Sequence, residues 1–121
     1  MFEAMSARPF DWTDIDVFQV DERCVPPDHE QSNYRMIRQA LTGPRTIHRM
    51  LGELPPDEAA SLYEDEVGNA EFDIIQRGMG ADGHTASIFP GLPLPKSNRG
   101  IAGAIWVPAM SQHRITLMPP V

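Results

Sequence analysis

Twelve prolines among 121 residues restrict this chain to short helices and strands. They gather in Val-Pro-Pro, Leu-Pro-Pro, Phe-Pro-Gly-Leu-Pro-Leu-Pro and Met-Pro-Pro, and these clusters separate the apolar runs of the sequence. Because proline fixes φ and has no backbone N–H, the clusters predict loops and the ends of elements. The length predicts a single small domain over residues 1–121.

The charge balance excludes several classes of protein. Ten basic and 17 acidic residues give a formal net charge of −7 without a Lys/Arg cluster, so nucleic acid is not an expected partner. No apolar run approaches the ~18 residues of a membrane helix, so no membrane association is expected. The single Cys24 cannot form an internal disulfide, and the first residues lack the pattern of a secretory signal. A cytoplasmic protein is therefore expected.

Apolar patterning predicts an α/β fold with a largely parallel sheet. Strands are predicted at 15–20, 72–76, 101–107 and 114–118. Ser32 is a candidate cap for a first helix, which Gly43-Pro44 would end. A second helix follows Pro55-Pro56 and closes at Gly68. The alternation of strands with helices is typical of parallel α/β sheets.

The second helix has an apolar side and an acidic side. Helical spacing predicts a buried stripe made of Ala59, Leu62, Tyr63 and Val67. The opposite side is expected to face solvent and carries Glu58, Glu64, Asp65 and Glu66.

A glycine-rich loop follows the strand predicted at 72–76. Gly78, Gly80 and Gly83 satisfy the pattern G-x-G-x-x-G, which suggests a dinucleotide-binding loop and a helix of small residues after it. No acidic residue follows Asp82, however, and the ribose contact of such sites needs one about 20 residues further on. Dinucleotide binding is therefore not expected.

The same loop holds Asp82 and His84, a carboxylate and an imidazole two residues apart. A neutral imidazole can take a proton from water near pH 7, and a neighbouring carboxylate can fix its tautomer, so the pair suits a hydrolase. The alternative is structural: Asp82 caps the following helix and His84 is an ordinary histidine. No common zinc spacing links the four histidines, so no metal site is expected.

Asp21-Glu22-Arg23 ends the first predicted strand, at the edge where α/β folds place ligands. Arg23 can bind a carboxylate, a phosphate or a developing oxyanion through its planar guanidinium. The alternative is a solvated rim of charges. A nucleophilic Ser87 is disfavoured because the G-x-S-x-G elbow is absent, and Cys24 is expected to be a small packing residue.

Two blocks together resemble a known family. DVFQVDERCVPPDHEQSNYRMIRQAL and FDIIQRGMGADGHTASIFPG are similar to signature blocks of bacterial 6-phosphogluconolactonases, and His113–Leu117 is similar to a later block. The resemblance covers about residues 12–91. It implies a three-layer, Rossmann-like α/β fold of the sugar-phosphate isomerase type. It also implies hydrolysis of 6-phospho-D-glucono-1,5-lactone to 6-phosphogluconate in the oxidative pentose phosphate pathway, without a metal or organic cofactor.

The resemblance also implies roles for individual residues. His84 would be the general base that activates water, and Asp82 its orienting partner. Arg23 would contact the substrate and stabilise negative charge. The remaining candidates would bind the substrate or shape its pocket: Asp21, Ser32, Asn33, Gly78, Gly80, Gly83 and Arg114. Of these, Arg114 is the candidate for the phosphate, and the glycines would offer close backbone approach and amides for an oxyanion.

Two alternatives stay open. Related sugar-phosphate deaminases and isomerases resemble one another in a Glu before the Pro-Gly that follows D-G-H, and here that position is Phe89. The replacement favours lactone hydrolysis. The family's glycine-rich phosphate loop and its C-terminal lysine block have no counterpart here, so the chain is expected to be the central half of a longer protein. A non-catalytic truncated remnant is therefore the second alternative.

Overall fold

The computed structural model describes residues 4–5 and 7–119, and the described strands form two sheets. In chain order the elements are β1 (Asp16–Phe18), β2 (Asp21–Arg23), α1 (Asn33–Ala40), β3 (Thr46–His48), α2 (Pro56–Val67), β4 (Ala102–Val107), a 3₁₀ turn (Pro108–Met110) and β5 (Gln112–Leu117). β1 pairs with β3 in parallel, and the antiparallel sheet has the order β2-β5-β4. The α/β class is confirmed, with parallel pairing confined to β1 and β3 in the described chain.

Both predicted helices are confirmed, and their ends follow from their sequences. The side chain of Ser32 accepts a hydrogen bond from the backbone N–H of Arg35 and so caps α1. Pro56 occupies the first turn of α2, where a missing N–H does no harm. Gly68 closes α2 with a positive φ of 53°, a conformation that favours glycine. Among the described residues, no helix is long and apolar enough to cross a membrane.

The prediction for the faces of α2 is wrong at two positions. Glu64, expected in solvent, is 1% exposed, and Leu62, expected in the core, is 43% exposed. The Glu64 carboxylate accepts hydrogen bonds from the Ser97 hydroxyl and from the backbone N–H groups of Arg99, Ile101 and Ala102. These donors replace water around the charge, so the carboxylate holds the segment before β4 against α2.

Alternation along the antiparallel sheet separates its core face from the face that carries the site. Ile115 and Leu117 of β5 lie in the cluster with Tyr63 and Val67 of α2. Successive side chains of a strand point to opposite faces, so Arg114 and Thr116 lie on the other face. In the register of β2 with β5, Arg23 is directly opposite Arg114. The pairing therefore brings two guanidinium groups together.

The first predicted strand is interrupted. Residues 15–20 do not form one strand, because the chain changes sheets within them. Gln19 donates its backbone N–H to the carbonyl of His48 at the end of β3, whereas the Val20 carbonyl accepts from Leu117 of β5. The Asp-Glu-Arg segment is thus a separate strand, β2, whose neighbour is antiparallel.

The strand predicted at 72–76 is wrong, and so is the helix predicted after the glycine loop. Residues 72–76 lie outside every strand, and Ile74 is 86% exposed. A strand is stabilised by its neighbours in a sheet, and neither sheet of the described residues includes this segment. The residues after Gly83 form a tight turn closed by Thr85 and Ile88 instead of a helix.

Glu64 is expected to give the fold a pH-dependent stability. Burial acts to raise the pKa of Glu64, but its hydrogen bonds from Ser97 and from the backbone outweigh burial and lower that pKa. Because the folded form has the lower pKa, the stabilisation is complete above the unfolded value of about 4.3 and is lost as the pH falls through the folded value. Glu64→Gln should reduce the free energy of unfolding at pH 7 by about 2–3 kcal/mol and flatten its decline in acid.

Chemical denaturation at pH 7 and at acidic pH measures both effects. Glu58→Gln is the matched control, since Glu58 is exposed on the same helix, and it should change stability by less than about 0.5 kcal/mol. An unchanged stability of Glu64→Gln at pH 7 would contradict the role given to this carboxylate.

Candidate active site

An open groove of about 1110 Å³ runs beside β1, the N-terminal end of α1 and the glycine loop. Seven of the ten site residues predicted from the sequence line it: Asp21, Arg23, Asn33, Gly78, Gly80, His84 and Arg114. The other three do not line it. Asp82 contacts His84, Gly83 forms the turn between them with a φ of 86°, and Ser32 is buried at the cap of α1.

Asp82 and His84 form a hydrogen-bonded pair at the groove. One carboxylate oxygen of Asp82 lies 2.5 Å from Nδ1 of His84 and accepts from the His84 backbone N–H at 3.1 Å. These two hydrogen bonds lower the pKa of Asp82, which is ionised at neutral pH. A carboxylate only accepts, so the neutral imidazole carries its proton on Nδ1. The lone pair of Nε2 is then available as a base.

One part of the structural alternative, a helix cap by Asp82, is wrong. Asp82 caps no helix, since the residues after it form a turn. The close packing of the loop instead requires a glycine beside the imidazole. A Cβ atom added to Gly80 would lie 2.2 Å from Cε1 and 2.3 Å from Nδ1 of His84, a distance that no real side chain tolerates.

Phe89 supports the imidazole from behind. Its ring stacks on His84 with a centroid distance of 4.5 Å and an interplanar angle of 20°. Phe89 is buried in a small cluster with Ile105 and Val107 of β4. The guanidinium carbon of Arg114 lies 5.7 Å from the centre of the same ring. One aromatic side chain thus contacts both the candidate base and a candidate anion-binding residue.

Arg23 and Arg114 together form a cationic surface in the groove. Arg114 is only 5% exposed, and its Nη2 atom lies 2.7 Å from the sulfur of Met110. Burial and then the Arg23 charge lower the pKa of Arg114, while Asp21 opposes them. The Nε atoms of both arginines are buried without a hydrogen-bond partner in the described chain. Buried donors of this kind are suited to an anionic ligand.

Asp21 connects three segments around the groove. The side-chain amide of Asn33 donates to the backbone carbonyl of Asp21 at 3.0 Å and to the Asp21 carboxylate at 3.3 Å. The Ser87 hydroxyl donates to the other carboxylate oxygen at 2.9 Å. Strand β2, helix α1 and the turn after His84 are therefore held together by one side chain.

The sequence interpretation missed two residues of this network. Glu22 is 2% exposed and lies behind the groove, so the alternative of a solvated rim of charges is wrong for this residue. Side chains alternate between the two faces of a strand, so a residue between two groove-facing side chains points to the opposite face. This alternation in the sequence could have predicted that Glu22 points away from the groove. Ser87, which its sequence context disfavours as a nucleophile, is fully buried and donates its hydroxyl to Asp21.

Cys24 is a packing residue, as its sequence context suggested. It is half-buried against the core of α2 and the antiparallel sheet. Burial, followed by the negative charge of Glu22, raises the pKa of the Cys24 thiol to about 11. The thiol is protonated at neutral pH and is a poor nucleophile. Within residues 4–5 and 7–119, no group of three His, Cys, Asp or Glu residues is arranged to hold a metal ion.

Comparison with known proteins agrees with this arrangement. The chain is 46% identical over 93 residues to a 6-phosphogluconolactonase of Treponema pallidum, covering 66% of this chain and 39% of the relative. It is 37% identical over 127 residues to a 6-phosphogluconolactonase of Pseudomonas aeruginosa, covering 95% and 53%. A solved 6-phosphogluconolactonase structure from Thermotoga maritima superposes with a TM-score of 0.80 at 31% identity, covering 97% of this chain and 56% of that one.

The fold and the groove define a Rossmann-like α/β protein of the class that this solved structure represents. The family model for glucosamine-6-phosphate isomerases/6-phosphogluconolactonase matches residues 1–121. The chain belongs to this family. It spans about half the length of the curated relatives it matches.

The contact between Gly80 and His84 gives a structural prediction. Gly80→Ala should push the imidazole away from Asp82 and destabilise the fold by about 1–3 kcal/mol, because a Cβ has no room there. The hydrogen-bonded Nδ1 proton of His84 should lose its downfield ¹H NMR signal.

Gly78→Ala is the matched control, since nothing lies within 4 Å of a Cβ at Gly78. It should retain the Nδ1 signal and the stability of the unsubstituted chain within about 1 kcal/mol. A Gly80→Ala chain that keeps the signal would show that the loop does not hold the imidazole in this way.

Proposed function

We propose that this chain carries the site of a 6-phosphogluconolactonase, which hydrolyses 6-phospho-D-glucono-1,5-lactone to 6-phosphogluconate in the oxidative pentose phosphate pathway. One observation carries the proposal: an imidazole fixed by a carboxylate shares a groove with two adjacent guanidinium groups. Hydrolysis of a phosphorylated lactone needs a base that takes a proton from water. It also needs cationic groups that stabilise the phosphate and the developing oxyanion. The named relatives support the same activity.

His84 would begin the reaction as the general base. Its Nε2 atom takes a proton from a water molecule as the water oxygen bonds to the lactone carbonyl carbon. The Asp82 carboxylate, already bound to Nδ1, stabilises the imidazolium that forms. The carbonyl oxygen gains the negative charge. When the intermediate collapses, the bond to the ring oxygen breaks, and the imidazolium returns its proton to that oxygen.

The two arginines would divide the negative charges of the substrate. Arg23 is held by the Gln31 carbonyl and the Asn33 side chain, and it would stabilise the developing oxyanion. The expectation that the loop amides serve the oxyanion is wrong for Gly80 and Gly83, because their N–H groups donate to the carbonyls of His84 and Gly80. Arg114 would bind the phosphate through its buried Nε and its remaining donors. Phe89 places an aromatic ring beside the imidazole, where related isomerases resemble one another in having a Glu. The absence of a carboxylate at this position favours lactone hydrolysis over isomerase chemistry.

A cytoplasmic location completes the proposal. Cys24 is a free thiol, as is usual for proteins of a reducing compartment.

Replacement of His84 tests the central step. With freshly generated phosphogluconolactone, acid release by the 121-residue chain should exceed the spontaneous rate, and His84→Ala should lower the catalysed rate by about 10²–10⁴-fold. His113→Ala is the control, because this exposed histidine on β5 does not line the groove and its loss should leave the rate unchanged. A wild-type rate equal to spontaneous hydrolysis, or a fully active His84→Ala chain, overturns the proposal.

Replacement of Arg114 tests the phosphate contact. Arg114→Met should raise the KM for the phosphorylated lactone by about 10–100-fold, since a charge-assisted hydrogen bond contributes about 1.5–3 kcal/mol. Arg114→Lys, which keeps the charge, should lose less. Unphosphorylated D-glucono-1,5-lactone is the comparison substrate, and its kinetics should change by no more than about threefold. An equal loss on both lactones would assign Arg114 a different role.

A further inference from the structure

Glu22 is a buried carboxylate that the proposed mechanism does not use. It is 2% exposed, and its two oxygens accept five hydrogen bonds. One oxygen accepts from the backbone N–H groups of Arg23 and Asn33, at 2.8 and 2.7 Å. A buried charge persists only where such donors replace water, so this network fixes every group that contacts it.

The donors to the second oxygen come from the beginning of α1 and from the core. They are the Ser32 hydroxyl, the Tyr34 backbone N–H and the side-chain amide of Gln19, at 3.0, 2.8 and 3.0 Å. The first N–H groups of a helix have no partner within the helix and favour negative charge. Glu22 therefore holds the N-terminal end of α1 against β2.

The segment held by Glu22 is the one that orients Arg23. Nη1 of Arg23 donates to the Gln31 carbonyl at 2.8 Å and to the Asn33 side chain at 3.0 Å. Both acceptors lie within two residues of the α1 cap that Glu22 binds. If this end of the helix moves from β2, Arg23 loses both acceptors at once.

From this geometry we infer that Glu22 is a positioning residue, which directs the Arg23 guanidinium into the groove by fixing the N-terminal end of α1 on strand β2. Its effect on catalysis rests on the proposed function, whereas its effect on Arg23 does not. Glu22→Gln replaces one acceptor oxygen by an NH₂ donor, which would face N–H or O–H donors on either side. At either position the NH₂ group faces at least one backbone N–H, which cannot accept a hydrogen bond, so the helix end should shift.

A double-mutant cycle separates positioning from general destabilisation. Glu22→Gln should lower kcat/KM by about 10–100-fold, mainly through kcat, because misplacement by about 1 Å has an effect of this size. Arg23→Lys should lower kcat/KM by a similar factor. The double variant should be no more than about threefold worse than Arg23→Lys alone, because both changes remove one interaction. If the losses in kcat/KM of the two single variants multiply in the double variant, the inference is overturned.

The matched control is Glu64→Gln. Glu64 is also a buried carboxylate that accepts several backbone hydrogen bonds, but it lies on α2 away from the groove. Measured below the unfolding transition of every variant, Glu64→Gln should leave kcat/KM within about twofold of the unsubstituted chain. A loss equal to that of Glu22→Gln would show that lower stability alone explains both.

The Arg23 side chain gives a readout that does not require activity. Because only Nη1 donates to Gln31 and Asn33, the Nη1 and Nη2 groups should give separate NMR signals in the unsubstituted chain and averaged signals in Glu22→Gln. If the unsubstituted chain does not catalyse hydrolysis, the proposed function fails, and averaged Arg23 signals still support the positioning role. If Glu22→Gln does not fold, the same measurement is made on Glu22→Asp, which keeps the charge but reaches fewer donors. Unchanged Arg23 signals in the variant that folds overturn the inference.

Discussion

Two buried carboxylates hold this protein together by accepting backbone hydrogen bonds from other segments. Glu64 of α2 binds the backbone N–H groups just before and at the start of β4, and Glu22 of β2 binds the first N–H groups of α1. In the described part of this proline-rich chain, α1 has eight residues and β1, β2 and β3 have three each, so these elements make few hydrogen bonds of their own. Carboxylates satisfy the unpaired donors at the ends of these elements instead.

The candidate site results from the way side chains alternate between the two faces of the antiparallel sheet. On one face, Ile115 and Leu117 pack in the core beneath α2, and on the other, Arg114 lies beside Arg23. The turn that carries His84 rests on this second face through Phe89. The core and the candidate site therefore share the same strands, and the packing that stabilises one face also fixes the arginines on the other.

The elements that depend on local sequence were predictable, and those that depend on distant partners were not. Ser32 and Gly68 mark the helix ends within a few residues, and strands β4 and β5 follow from their own apolar runs. The contact of Asp82 with His84 spans two residues and follows from spacing. The burial of Glu64 depends on donors that lie more than thirty residues further along the chain, so helical periodicity alone placed it in solvent. Residues 72–76 have a strand-like composition, but their pairing is decided by neighbours and not by composition.

The pairing of β2 with β5 also has a consequence for synthesis on the ribosome. The two strands are separated by most of the chain, so β2 leaves the exit tunnel long before its partner is translated. Until Gln112–Leu117 emerges, Arg23 has no neighbouring guanidinium, and the backbone of β2 lacks its strand partner. Contacts of such long sequence separation are slow to form. The nascent chain therefore forms the cationic surface of Arg23 and Arg114 only after α1 and α2 have been made.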